Sequence, residues 1–100
     1  MVREKVKVQL ARKQADGYVI PLGPINLVSV ITDVGMVGCG AFDVMALDKF
    51  QVPAARVKGA AGPVATIEDL MKAVVKDANE SASKIGVRVG MTGKEALALM

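Results

Sequence analysis

A single thiol stands between two glycines, in Gly38-Cys39-Gly40, with a carboxylate four residues on at Asp43. A cysteine at the start of a helix is favoured as the thiolate, because unpaired amides and the helix dipole stabilise negative charge there. In that setting Cys39 could act as a nucleophile, and Asp43 could orient a substrate or take a proton. The same residues have a structural reading, since cysteine is among the most buried residue types and packs as a small hydrophobe. Asp43 would also oppose a thiolate. The chain contains no histidine, so neither a Ser-His-Asp triad nor a Cys-His dyad can form. One cysteine excludes an internal disulfide and a thiolate zinc cage. The ten acids are scattered, without calcium-loop or paired-carboxylate spacing. No metal and no cofactor is implied.

A second constellation lies at Gly90-Met91-Thr92-Gly93-Lys94. A strand-to-helix turn of this composition exposes amides at a helix N-terminus and brings Lys94 close, with Arg88 near enough to assist. Gly38, Gly40, Arg88, Thr92, Gly93 and Lys94 are therefore the candidate contacts for a small anionic ligand. The spacing is not that of a Walker loop, because Arg88 occupies the position of the first glycine. Thr92 and Glu95 also form a capping box, which is enough to explain a plain helix start. Gly35, Gly38 and Gly40 do not match the dinucleotide fingerprint, and a hairpin followed by a sharp corner accounts for them.

Around these residues the pattern predicts strands first and helices later. Val6, Val8 and Leu10 alternate with Lys5, Lys7 and Gln9, the period of a half-buried strand. Asp16-Gly17 reads as a turn, followed by extended pieces at 18–22 and 25–32, a turn at Asp33-Val34-Gly35 and a strand at 36–39. Residues 41–50 read as a helix with Phe42, Met45, Ala46 and Phe50 on one face. Val44 and Leu47 fall on the far side, where a surface helix would be polar, and this places them at a subunit interface. A strand follows at 54–58. Thr66 then opens a long helix closed by Gly86, its stripe running through Ile67, Leu70, Met71, Val74, Ala78, Ala82 and Ile85. Val87-Arg88-Val89 reads as a short strand, and a final helix runs from Thr92 to Leu99. Grouped strands with later helices give an α+β fold, mostly antiparallel, with helices on one face of the sheet.

Sixteen valines and fourteen alanines accompany three aromatic residues in 100 residues, and 52% of the chain is hydrophobic. A domain of this size has too little interior for that much aliphatic surface, which points to a homo-oligomer. Residues 1–14 carry five bases against one acid, while the remainder carries eight against nine. The basic ladder of Arg3, Lys5, Lys7 and Lys13 could face an anionic partner. With no tryptophan and little aromatic surface for stacking, nucleic acid is not the expected one. Lysines on an exposed strand also guard an edge against aggregation. The charged start does not read as a signal peptide, and prolines and polar residues break the apolar stretch between Val19 and Leu47 well short of a membrane span. A soluble cytoplasmic protein is expected, consistent with one unpaired thiol.

Several stretches also resemble the YunC-like family, a small conserved domain of unknown function. They are Asp33-Val34-Gly35, Cys39-Gly40-Ala41-Phe42-Asp43-Val44, Val57-Lys58-Gly59, Thr66-Ile67-Glu68-Asp69-Leu70, and above all residues 86–97, beginning Gly86-Val87-Arg88 and ending Glu95-Ala96-Leu97. The resemblance covers roughly residues 17 to 100 and implies a two-layer α/β sandwich formed by one domain over residues 1–100. It implies no activity, substrate or cofactor. Where relatives have Gly-Val ahead of the long helix, this chain has Pro63-Val64, and proline offers a ligand no backbone N–H.

Two functions fit these observations. One is a homo-oligomeric binding or interaction module without catalysis of its own. The other is a small enzyme or ligand sensor that uses the Cys39 thiol and an anion-binding helix start near Lys94.

Overall fold

The computed structural model describes residues 4–59 and 62–100; Arg3 of the basic ladder lies outside them. Six strands form one sheet in chain order: β1 Glu4–Gln9, β2 Gln14–Leu22, β3 Ile25–Ile31, β4 Met36–Gly38, β5 Ala54–Lys58 and β6 Val74–Ala78. Every neighbouring pair is antiparallel except β4 and β5. The connection between those two is α1, Val44–Asp48, because parallel strands cannot be joined by a tight hairpin. The remaining helices are α2 Ile67–Lys72, α3 Glu80–Lys84 and α4 Gly93–Ala98. Among the described residues no helix is long and apolar enough to cross a membrane. The fold class is α+β, as the strand and helix order predicts, but the helices are not all on one face: α1 packs on the opposite face from α2 and α4.

Strand alternation sorts the core into two clusters. Val28, Val30, Val37, Ala55, Val57 and Val75 point to the inner face and pack against Leu70, Ala96, Leu97 and Met100 of the α2 and α4 region. Met36 and Ala54, one residue out of phase, point to the other face and pack with Val44 and Leu47 of α1. Val44 and Leu47 therefore do not form the free apolar side of α1. Val44 is 3% exposed and sits in this chain's own core, while Met45, Ala46 and Phe50 face outward. A helix forms within the stretch expected at 41–50 but covers only Val44–Asp48, and the sheet lies against the opposite side of it from the one expected.

The long helix expected over 66–86 is not formed. Thr66 caps α2 as expected, its hydroxyl accepting from Asp69 N at 3.0 Å, but α2 stops at Lys72. Residues 74–78 then pair with β5 as an edge strand, and a new cap at Asn79 starts α3. Two consecutive β-branched residues, Val74-Val75, lose little in a strand and are crowded in a helix. Gly86 does close a helix, at φ +100°, but it is the short α3. Asp16-Gly17 lies inside β2, and the first turn is instead at 10–13, where Leu10 N donates to Lys13 O. Gly17 is glycine because a Cβ there would press on Ile67 and Val8. Residues 87–89 form no strand: Val87 is buried, Val89 is exposed, and the chain meets β6 just afterwards, through a bridge between Val74 and Thr92 and bonds from Val75 N to Met91 O and from Gly90 N to Val75 O.

Asn79 ties the elements around the parallel pair together. Fully buried, its side chain accepts from Ala54 N at 3.2 Å and Ala82 N at 2.8 Å. It donates to Val44 O at 2.9 Å and Val52 O at 2.8 Å. One amide thus satisfies α1, the start of β5 and the start of α3 at once, with no polar capacity left over.

Candidate ligand-binding cleft

A cleft of about 480 Å³ opens where β4 and β5 end side by side. This is where ligands bind in parallel α/β units, because the strands' carboxyl ends and their following loops leave a crevice. The turn after β4 supplies Cys39, Gly40 and Ala41, and the end of β5 supplies Arg56, Val57, Lys58 and Gly59. The β2–β3 turn closes one side with Pro24, Ile25 and Asn26, and Pro63, Val64 and Ala65 close the other. Pro63 is an apolar wall here and donates nothing.

Three cations line the cleft, Arg56, Lys58 and Lys76, and no acid does. Arg56 and Lys58 share the outer side of β5 by alternation. Lys76 follows the inward Val75 and so faces the same side. Val75 pairs with Val57 and Asp77 with Arg56, so Lys76 is an extra residue between consecutive pairs. The bulge re-aims Asp77, which a regular strand would send inward, to the side of Arg56. Arg56 is held by an ion pair with Asp77 and donates to Gly40 O at 3.3 Å, fixing the turn after β4. Among the described residues Lys58 and Lys76 make no ion pair. The backbone N–H groups of Gly40 and Ala41 likewise find no acceptor among the described residues.

Cys39 belongs to the cleft floor rather than its surface. It follows Val37 on the inner face, is 6% exposed, and packs in the main core. Asp43 is spent as the N-cap of α1, accepting from Ala46 N at 3.1 Å. It lies beyond the Gly40-Ala41 turn in a second recess of about 380 Å³, shared with Phe42, Arg56 and Asp77. Cys39 and Asp43 therefore do not face a common ligand. Gly38 is buried, and a Cβ there would meet the Phe42 ring, so its role is packing. Gly40 is exposed at the cleft with open space where a Cβ would sit.

Arg88, Thr92, Gly93 and Lys94 are not part of this cleft. Arg88 donates to the Ser83 and Val87 carbonyls, at 2.8 and 2.9 Å. Thr92 N is taken by Glu95 Oε1 at 2.9 Å and Glu95 N by Thr92 Oγ1 at 3.1 Å, the reciprocal capping box. Gly93 N donates to Ala73 O at 2.8 Å, and a Cβ at Gly93 would strike Leu70 O. The turn that resembled an anion loop has its amides consumed and its glycine pressed against α2.

The residues that sequence reasoning missed are Arg56, Lys58, Lys76 and Asn79. Arg56 and Lys76 carried no motif, Lys58 stood only within the family-like stretch Val57-Lys58-Gly59, and the periodicity assigned to a long helix hid Lys76 and Asn79 within it. The one available signal was Asn79 ahead of Glu80, an asparagine-plus-acid helix start in mid-stripe.

A family model described as a domain of unknown function, DUF1805, matches residues 38–100, the segment that begins at the cleft-side end of β4 and supplies Cys39, Arg56, Lys58 and Lys76. The uncharacterised protein YunC of Bacillus subtilis strain 168 is 36% identical over 81 residues, which are 81% of this chain and 80% of that protein. The chain belongs to the YunC-like, DUF1805 family. A crystal structure of a protein of unknown function from Thermoplasma acidophilum shares the fold of this DUF1805 chain, with a TM-score of 0.85 at 24% identity. The likeness covers 97% of this chain and 90% of that one. Since it extends well beyond the 63 residues from 38 to 100, the β1–β3 hairpins belong to the shared architecture as well.

Proposed function

We propose that this chain is a binding domain without catalysis of its own, and that its ligand is a small molecule seated in the cleft at the ends of β4 and β5. The observation that carries this reading is the cleft itself. Its volume of about 480 Å³ falls within the ~300–1,000 Å³ usual for small-molecule sites. It combines apolar walls with a few polar groups, and it assembles no nucleophile with a base. The thiol is buried and Asp43 caps a helix on the other side of the turn. A free buried cysteine also fits a cytoplasmic setting. Native mass spectrometry of the protein taken from its own host, followed by the same measurement on Gly40→Leu, tests the reading. A retained small molecule that is lost in the variant is expected. A chain that carries nothing, and whose melting temperature no metabolite mixture raises, refutes it.

A second reading concerns self-association, and an apolar sheet face that shares Ile25 with the cleft supports it. On the outer face of β2 and β3, cross-strand rows place Ile20 beside Leu27 and Leu22 beside Ile25. Leu22, Ile25 and Ile31 are 57%, 46% and 44% exposed, and α1 covers only the neighbouring strands. A second copy laid face to face would bury these rows symmetrically, as an isologous interface does. Light scattering should give more than one chain, and Leu22→Lys should return a folded monomer. A monomer at millimolar concentration would dismiss it.

A further inference from the structure

Resting on the cleft reading above, we infer that the ligand is a small organic oxyanion, a carboxylate or phosphate on an apolar body, held by Lys58, Lys76 and the amides of Gly40 and Ala41. Three independent features of the cleft converge on negative charge. First, all three ionisable groups other than the thiol on its wall are cations. From residue 15 onward the chain carries nine acids against eight bases, so a wall with three bases and no acid departs from its surroundings. Second, Arg56 is neutralised by Asp77 and committed to Gly40 O, whereas Lys58 and Lys76 have no ion-pair partner among the described residues. Third, the Arg56 contact holds the turn at 39–41 in place while the Gly40 and Ala41 N–H groups stay without an acceptor. Successive unpaired amides form an anion-binding concavity, and two lysines on adjacent strands add the charge. The apolar walls of Ile25, Val57, Pro63 and Val64 then have a matching part of the ligand to cover.

Val75 points inward with Val57, so strand alternation sends Lys76 to the same side as Lys58. The extra residue then returns Asp77 to that outer side, opposite Arg56, and leaves Lys76 without a cross-strand partner.

The test uses the full chain and matched probes of equal size: hexanoate and phenyl phosphate as anions, hexanol and benzyl alcohol as neutral analogues, and inorganic phosphate alone. Titrations are followed by amide chemical shifts and by calorimetry at low and high salt. The anions should bind more tightly than the alcohols, move the Gly40 and Ala41 amides, and weaken as salt rises. Lys58→Met and Lys76→Met should each weaken the anions by roughly fivefold, the upper end for one exposed ion pair, and leave the alcohols unchanged. Lys94→Met, outside the cleft, should change nothing. Phenyl phosphate binding without hexanoate, or the reverse, decides between the two oxyanions. Equal binding of anions and alcohols in the cleft would overturn the charge assignment and leave the cleft reading standing. Shifts confined to residues outside the cleft, or no shift with any probe, would overturn both.

Discussion

Replacing Asn79 by alanine should unfold the region around the parallel pair more than any surface change of similar size. The side chain is fully buried and makes four hydrogen bonds, to Ala54 N, Ala82 N, Val44 O and Val52 O, at 2.8 to 3.2 Å. Truncation orphans two amides and two carbonyls. Each buried group left without a partner costs about 1–3 kcal/mol, and water entering the vacated space offsets part of this. A net loss of about 3–4 kcal/mol follows, a melting temperature lower by roughly 15–25 °C for a chain of this length. Urea titration should show the midpoint falling by about 2 M with little change in slope. Asn79→Asp separates hydrogen bonding from packing, because it is isosteric. The carboxylate keeps both acceptor bonds but sets a negative oxygen against the Val44 and Val52 carbonyls. Burial and those carbonyls raise its folded pKa above the unfolded value of about 3.9. Stability of this variant is therefore greatest below the unfolded pKa and is lost as pH rises through the folded one. The gap between variant and parent should be wide at pH 7 and close towards pH 4. A loss under about 1 kcal/mol for Asn79→Ala, or a gap that ignores pH, would refute the role assigned to this residue.

The other expectations are more local. Native Cys39 should react with a disulfide reagent far more slowly than in urea, and Cys39→Ala should keep ligand binding; rapid native labelling would restore the nucleophile reading. Val44→Glu should abolish folding by thermal melt rather than merely separate subunits, since it places a carboxylate in the core cluster with Met36 and Ala54. Gly40→Leu should leave stability within about 0.5 kcal/mol, as an exposed substitution with open space does, while blocking the cleft in calorimetry. The Ser81 amide and hydroxyl beside Asp48 hold its carboxyl below the usual range. A depressed folded pKa gives stability that is present above the unfolded pKa and lost as pH falls through the folded one. Asp48→Ala should accordingly flatten the acid limb of a stability–pH profile, and an unchanged limb would count against the contact.

Sequence patterns reached the elements whose signals are local. The alternation of β1, the turn at 33–35, the caps at Thr66 and Thr92 and the left-handed Gly86 all depend on residues within a few positions of one another, and all are present. The central segment failed because its outcome depends on a distant partner. Residues 66–86 carry a clean helical stripe, yet the edge of β5 offers Val74–Ala78 a ladder that a helix cannot match. The same failure hid the cleft, whose cations come from β5 and β6 and meet only once that pairing is made. The facing of α1 is another long-range matter: its periodicity is visible in the sequence, but the side the sheet occupies is not. Cys39 was legible as the focus of the site, and of its two readings the buried, packed thiol is the one that the inward strand parity of residue 39 matches.

Because Val75 and Asp77 already sit opposite consecutive residues of β5, excision of the single codon for Lys76 would leave an uninterrupted edge strand with every other pair intact. Ligand preference could then change by insertion or loss of one amino acid, without disturbing a core contact. Relatives that differ in length at this point, more than those that differ in composition, are the ones in which a change of cargo should be sought.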